Sequence, residues 1–449
     1  MSEHPTSAEL ATFAHGDLPR RSFPRIARHV LRCSECRALL APHYAHLLPA
    51  ELIEPLPDRE RVYDGLLDRA FAIARATKRQ IQREEAQRRR ISALLAQGGG
   101  LESLLSQENI PLQGVGVLQA LLDHSWAIRH ENPGEMVKLA RYAVEVAKRL
   151  NPRQCGSLEQ ADWQARAWGE LGNAHRAADD LDEAERAFGF AFDFLVQGTG
   201  DPRLKAKLYD LHASYYGTRR QFTLAFAALE VVYETYEELG ESHLSGRALI
   251  VKAVYSFYEG RADEALQLNK FGLGLIDVER DPDLFCMAVH NRILYFLDYG
   301  QYREARIELF RYQAELSKLG GRVNAIKMLW LRARISAGLQ EWSTAEQAFL
   351  EVKSSWQEMD MKLAAALASL ELALIRMRRD SYSEAEALVL EAAEVFVNLR
   401  LQREAIGAVM VLRDSFKRKL GTLEHLEDVV DFLRRWHMDP NTKFVPRGE

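Results

Sequence analysis

Near the start of the chain, four residues have types and spacing suited to holding a metal ion. The stretch HVLRCSECRALL contains His29-x3-Cys33-x2-Cys36, which across a helix and a turn brings one imidazole and two thiols to a common point. Zinc favours four such nitrogen and sulfur ligands in a tetrahedron. His4 is the natural fourth ligand, with His15 and His43 as nearby alternatives. A C-x-x-C pair alone would read as buried or redox-active thiols, and His29 at the matching offset is what favours a metal. Thiolate ligands can also be oxidised with release of zinc, a chemistry the spacing neither requires nor excludes.

Such ligands need elements to position them. Between His4 and Leu40 the apolar positions Leu10, Phe13, Leu18, Ile26, Val30, Leu39 and Leu40 would form a miniature core around the ion, too small to hold without it. A structural, closed zinc site is therefore expected, with no open position for catalysis. These short amphipathic segments form a head over residues 1–48, and Pro49, Pro55 and Pro57 punctuate the chain after it. A helix is predicted over 58–97, where Val62, Leu66, Leu67, Phe71, Ile73, Ala76 and Ile81 recur at helical spacing. Gly98-Gly99-Gly100 then reads as a flexible joint.

On His4, on Phe13, Gly16 and Leu18 as an F-x2-G-x-L core, and on His29, Cys33 and Cys36, the head resembles the zinc-binding anti-sigma domain of bacteria. The match covers residues 1–48. The resemblance implies that the zinc-organised helices, with a fourth helix after them, clasp an extracytoplasmic-function sigma factor and keep it from RNA polymerase. The long helix from Asp58 stands in the place of that fourth helix. Many members of the family carry a transmembrane segment after the head, whereas here a repeat array follows, which suggests an intracellular input read by the repeats.

The repetition is regular. In WGELGNAHRAADDLDEAERAFGFAF, the residues Trp168, Leu171, Gly172, Ala184, Phe188 and Ala191 fall at the spacings of the tetratricopeptide signature, with His175 in place of its tyrosine. Equivalent small residues stand at Ala184, Ala225, Ala265, Ala305, Ala345 and Ala385, each followed four residues on by a position expected to be apolar. The small residue sits where the two helices of a hairpin cross, and the larger one fills the space between neighbouring hairpins. An earlier divergent hairpin carries Pro133, Ala140 and Ala143, and capping helices close the C-terminal end. The expected fold is all-α: a small zinc-bound helical head, a long linker helix, and a right-handed α-solenoid of tetratricopeptide-like hairpins over 112–436.

Composition bounds the function. A net charge of -5 and a pI near 6.3 argue against non-specific contact with nucleic acid or anionic membrane. No apolar run is long enough to span a bilayer and the first thirty residues lack a signal-peptide core, so a cytoplasmic protein is expected. The long helix is locally basic, with Arg69, Arg75, Lys78, Arg79, Arg83, Arg88, Arg89 and Arg90 against Glu84 and Glu85; this reads first as a solvated face, next as a partner-protein contact, and least as a nucleic-acid contact, since no aromatic residues interleave with the arginines after Phe71. In the solenoid, Arg166, Asn173, Arg176, Lys207, Arg247, Lys327, Trp330 and Arg334 are predicted to line the concave face, where they could hold an extended acidic protein or peptide segment. Trp163, Trp342 and Trp356 read as packing residues. No phosphate loop, nucleophile elbow or H-E-x-x-H occurs, and Cys286 with His290 one turn on reads as core, so no enzyme is expected. Two functions stay open: an anti-sigma regulator whose solenoid binds a second protein or peptide, and a scaffold that assembles a complex unrelated to sigma factors.

Overall fold

The computed structural model describes residues 4–15, 17–19, 21–44, 59–107, 111–129, 131–318, 321–399, 403–438 and 442–445. Among them the chain is all-helical, with no β-strand, and no helix is long and apolar enough to cross a membrane. The expected break at Pro49, Pro55 and Pro57, and Gly16, lie outside the described residues. The chain divides into two compact units, Met1–Arg83 and Glu84–Glu449.

In the first unit, α1 (Ser7–His15), α2 (Phe23–Val30) and α3 (Ser34–Tyr44) pack on one another pairwise. The text TSAE starts α1 with a capping box: the Thr6 N–H donates to Glu9 Oε2 at 2.9 Å, and the Glu9 N–H donates to Thr6 Oγ1 at 3.2 Å. Arg25 on α2 reaches the same Glu9 at 2.5 Å and ties the two helices together. Leu10, Ile26, Val30, Cys36 and Leu40 form the core, with Phe13, Leu18 and Cys33 partly covered at its edge. Leu39, expected in that core, is 59% exposed. Cys36 and Leu40 lie four apart and share the inward face of α3, which rotates Leu39 about 100° away from it.

The helix expected over 58–97 is α4 (Arg59–Leu94); it begins in the first unit, and its last turns belong to the second. Phe71, Ile73 and Ile81 on it are all exposed, whereas Ile91 and Leu95 are fully buried in the core of the second unit. A π turn, Leu95–Gly99, follows. The glycine run then starts a helix: Gly100, at φ 58°, opens α5 (Gly100–Leu105), and the Leu101 N–H donates to Glu135 Oε1 at 2.7 Å.

The second unit continues as helical hairpins. The first is α6 (Val115–Ala127) with α7 (Pro133–Lys148), and a short α8 (Pro152–Cys155) follows it. Then come α9 (Ser157–Ala177) with α10 (Leu181–Gln197), α11 (Pro202–Thr218) with α12 (Phe222–Glu238), and α13 (Ser242–Tyr258) with α14 (Ala262–Leu275). α15 (Pro282–Asp298) pairs with α16 (Tyr302–Arg311), followed by α17 (Gln313–Lys318). The series ends with α18 (Arg322–Gly338) and α19 (Trp342–Glu358), α20 (Lys362–Arg378) and α21 (Tyr382–Asn398), and the closing pair α22 (Arg403–Lys417) and α23 (Leu423–Met438). Proline in the first turn marks several starts, as at Pro133, Pro202 and Pro282, where the preceding Asn132, Asp201 or Asp281 accepts a hydrogen bond from the helix N-terminus.

All six marker alanines are fully buried. Four residues after them, Phe188, Leu229, Leu309, Phe349 and Val389 fill the core, but the third repeat has Asn269 there instead of an apolar residue. Asn269 is fully buried and donates through Nδ2 to the Ala288 carbonyl at 3.0 Å, which joins α14 to α15. The hairpin turns keep the register of the alanines, five residues before each one. Asp179, Arg220, Gly260, Gly300, Gln340 and Asp380 all take positive φ between the paired helices, the left-handed cap that ends a helix and reverses the chain.

Candidate metal centre and the polar face of the solenoid

His4 precedes α1, His29 lies in the last turn of α2, Cys33 caps α3 and Cys36 is in its first turn. Their ligand atoms lie within 4.8 Å of one another. His4 Nδ1 stands 3.3 Å from His29 Nε2, 3.4 Å from Cys33 Sγ and 3.4 Å from Cys36 Sγ. A neutral ring nitrogen carries one proton or one lone pair, so hydrogen bonding satisfies at most one of these three contacts. A central cation satisfies all of them. A tetrahedral ion with bonds of about 2.0–2.3 Å requires donor separations of about 3.3–3.8 Å; the three contacts of His4 meet this, and the remaining donor pairs lie within 4.8 Å.

The surroundings suit a closed site. Cys36 is buried, and that burial, with the neighbouring Cys33 thiol adding to it, holds its own thiol above the usual range in the absence of an ion. A bound cation inverts this preference by stabilising the thiolate. The outer nitrogen of His4, Nε2, lies 3.8 Å from the exposed Glu35 Oε2, beyond hydrogen-bond distance. The turn carrying Cys33 is held by Arg37, whose Nη1 donates to the Leu31 carbonyl at 2.8 Å. His15 and His43 pack edge-to-face on each other, ring centroids 5.8 Å apart, and are not part of the cluster. Glu35 and Arg37 were not singled out from sequence, since nothing in their spacing marks them.

On the solenoid, the structure brings most of the predicted groove residues onto the first helices of successive hairpins, but with partners. Arg166 on α9 lies 4.0 Å from Asp123 on α6, and Arg88 reaches the same carboxylate at 2.7 Å. Lys207 on α11 meets Glu170 on α9 at 3.4 Å and also covers the Trp126 ring, 4.4 Å from its centroid. Arg247 on α13 meets Asp210 on α11 at 2.6 Å, and this carboxylate raises its pKa against the cost of burial. Asn173 is buried and accepts from Arg176 at 2.9 and 3.1 Å, while its Nδ2 finds no partner among the described residues. Burial lowers the pKa of Arg176. Arg334 on α18 pairs with Asp298 on α15 at 3.1 Å and lies over the Trp330 ring. Lys327 is exposed and makes no ion pair among the described residues.

A groove of about 1110 Å³ is lined by α15, α18, α20 and α23. At its base Arg434 on α23 clasps Glu371 on α20 at 2.7 and 2.5 Å. Burial works against the Glu371 charge, yet Arg434 and Arg334 hold its carboxyl below the usual range. Of the tryptophans expected to pack, Trp356 is buried and Trp163 packs against the core, but Trp342 lines this groove beneath Arg378. Cys286 and His290 share a face of α15, where burial pushes the thiol up to about 11 and the imidazole down to about 4. Both shifts oppose the thiolate–imidazolium pair of a nucleophilic cysteine.

No protein-family profile matches the chain, and no curated protein matches it. Solved structures do share its helical repeats. The apo form of RapI matches with a TM-score of 0.56 at 14% identity, covering 82% of this chain and 99% of RapI. The second unit is a tetratricopeptide-like α-solenoid. A signal transduction ATPase with numerous domains and a tetratricopeptide repeat sensor, from Pyrococcus horikoshii, matches with a TM-score of 0.53 at 12% identity. That match covers 88% of this chain and 54% of the ATPase, so the chain spans about half the length of this neighbour.

Proposed function

We propose that the chain is a binding regulator of the anti-sigma type: a zinc-organised head grips a sigma factor, and the solenoid binds a second protein or a peptide that reports a signal. The observation that carries this reading is the convergence of His4, His29, Cys33 and Cys36 on one point, the ligand set of the family the head resembles. Zinc would supply structural charge there and hold α1, α2 and α3 together. The partner-facing surface is assigned to α4, where exposed Phe71, Ile73 and Ile81 alternate with Arg69, Arg75, Lys78 and Arg79. Apolar anchors among cations suit a helix that packs against a partner protein. Arg88 and Arg89 belong to a different role, since they pair with Asp123 and Glu85. A binding task, with no catalytic step, fits the buried and oppositely shifted Cys286 and His290.

The test is co-purification of the full-length protein with each extracytoplasmic-function sigma factor of the source cell, in parallel with an F71A/I73A/I81A variant. A stable complex lost in the variant supports the reading. Metal binding with no sigma factor captured would move the head to the scaffold role, in which it docks a protein outside transcription.

A further inference from the structure

The ion pairs on the first-helix face follow the repeat register. Lys207 and Arg247 occupy equivalent positions of successive hairpins, and each meets a carboxylate 37 residues upstream, Glu170 and Asp210. The next equivalent position is Met287, with Ile250 upstream: both ion-pair partners are replaced by apolar residues. The one after is Lys327, and the residue 37 upstream, where a carboxylate belongs, is His290. A cation has returned to the ladder without its anion. Nothing else supplies one: Lys327 makes no ion pair among the described residues. The charges acting on His290 are Lys327 and Arg334, and the charge acting on His437 of α23 is again Lys327. Arg334, which also lines the 1110 Å³ groove, is already matched to Asp298. The local excess is therefore positive, on a face where Lys207, Arg247 and Arg334 each meet a carboxylate.

We propose that the Lys327–His290 rung is a binding site for a carboxylate carried by an extended peptide segment, which completes the ladder as Asp210 does for Arg247. The proposal rests on the reading of the solenoid as a protein- or peptide-binding surface and adds the place and the chemistry of recognition. A peptide suits the site because the face runs on into the groove, where Tyr299, Tyr302 and Trp342 offer aromatic walls beside charged residues. Lys327 supplies up to three donors to the carboxylate, and His290, neutral and engaged with the Asn291 side chain, puts no competing anion opposite it.

The experiment uses full-length protein on an array of alanine-based pentapeptides. Some carry a single Asp or Glu, and each is made with a free or an amidated C-terminus. Acid-bearing peptides are expected to bind at least about tenfold tighter than neutral ones. That preference should vanish in Lys327→Met and survive in Lys327→Arg; methionine is the residue at the same register in the preceding hairpin. His290→Asp restores the missing carboxylate and should also abolish the preference, with a cooperative melt confirming that each variant is folded. Loss of binding on amidation alone would assign the anion to a peptide C-terminus, and indifference to amidation to a side chain. Peptide binding with no acid preference, or a preference that persists in Lys327→Met, overturns the inference and leaves the solenoid reading intact. No peptide binding at millimolar concentration overturns both.

Discussion

The head and the solenoid solve the same problem, holding short helices together, by opposite means. Among the described residues of the head five buried side chains form the core, and one of them, Cys36, is itself a candidate ligand. That core is too small to offset the conformational entropy of three helices, and in the proposed reading an ion held by the His/Cys cluster supplies the difference. The solenoid instead repeats one crossing, with a buried alanine and usually a large apolar residue four positions on, so that each hairpin borrows its core from its neighbours. A single point of failure in one region thus contrasts with distributed packing in the other.

Removing the metal should break the comparison most sharply. Chelation, or Cys36→Ser, is expected to unfold residues 4–44 outright while the repeats stay folded, because apparent zinc-binding energies of about 10–16 kcal/mol far exceed what this core supplies. Limited proteolysis should show cleavage confined to the head, with most of the helical circular dichroism retained. Within the solenoid the largest effects should come from charge. Glu371→Ala removes one of the two carboxylates on the half-buried Arg434, which keeps Asp431 at 2.7 Å, at a cost of about 1.5–3 kcal/mol, and hydrogen exchange should localise the loss to α20 and α23. The same pair sets a pH dependence. Since the folded carboxyl of Glu371 titrates below its unfolded value of about 4.3, its contribution is complete above that pH and is lost as pH falls through the lower folded value. Chemical denaturation at pH 3.5 and at pH 6 should show a larger loss for the native protein than for Glu371→Ala, since carboxylates such as Glu145 and Glu241 also titrate below the usual range in both. The smallest effect should have the opposite sign. Gln340 holds φ at 63° where Gly260 and Gly300 hold the equivalent turns, so Gln340→Gly should stabilise by up to about 1 kcal/mol, read as a higher denaturation midpoint.

Much of this was legible in the sequence, for definite reasons. His29, Cys33 and Cys36 are close in the chain, so one helix end and one turn suffice to bring them together. The six alanines declare themselves because the crossing tolerates little else. Leu39 belongs outside that core because the 100° turn between it and Leu40 carries it off the inward face of a helix only eleven residues long, where few neighbours fix the register. Asn269 was missed because its burial depends on the Ala288 carbonyl of the next hairpin. The partners of Arg166, Lys207, Arg247 and Arg334 were invisible for a related reason. The repeat runs at 40 residues, but the carboxylate that faces each cation is set by the tilt of successive first helices, an offset that no single repeat contains. Residues read as free cations are therefore mostly paired, and Lys327 gains meaning from being the exception.

The most direct test of the metal-organised head is elemental analysis of the purified full-length protein together with protease mapping of residues 4–44. One zinc per chain, lost along with protection of the head in Cys33→Ser/Cys36→Ser, is the predicted result. A head that stays protected with no metal bound, or in the double variant, would contradict it.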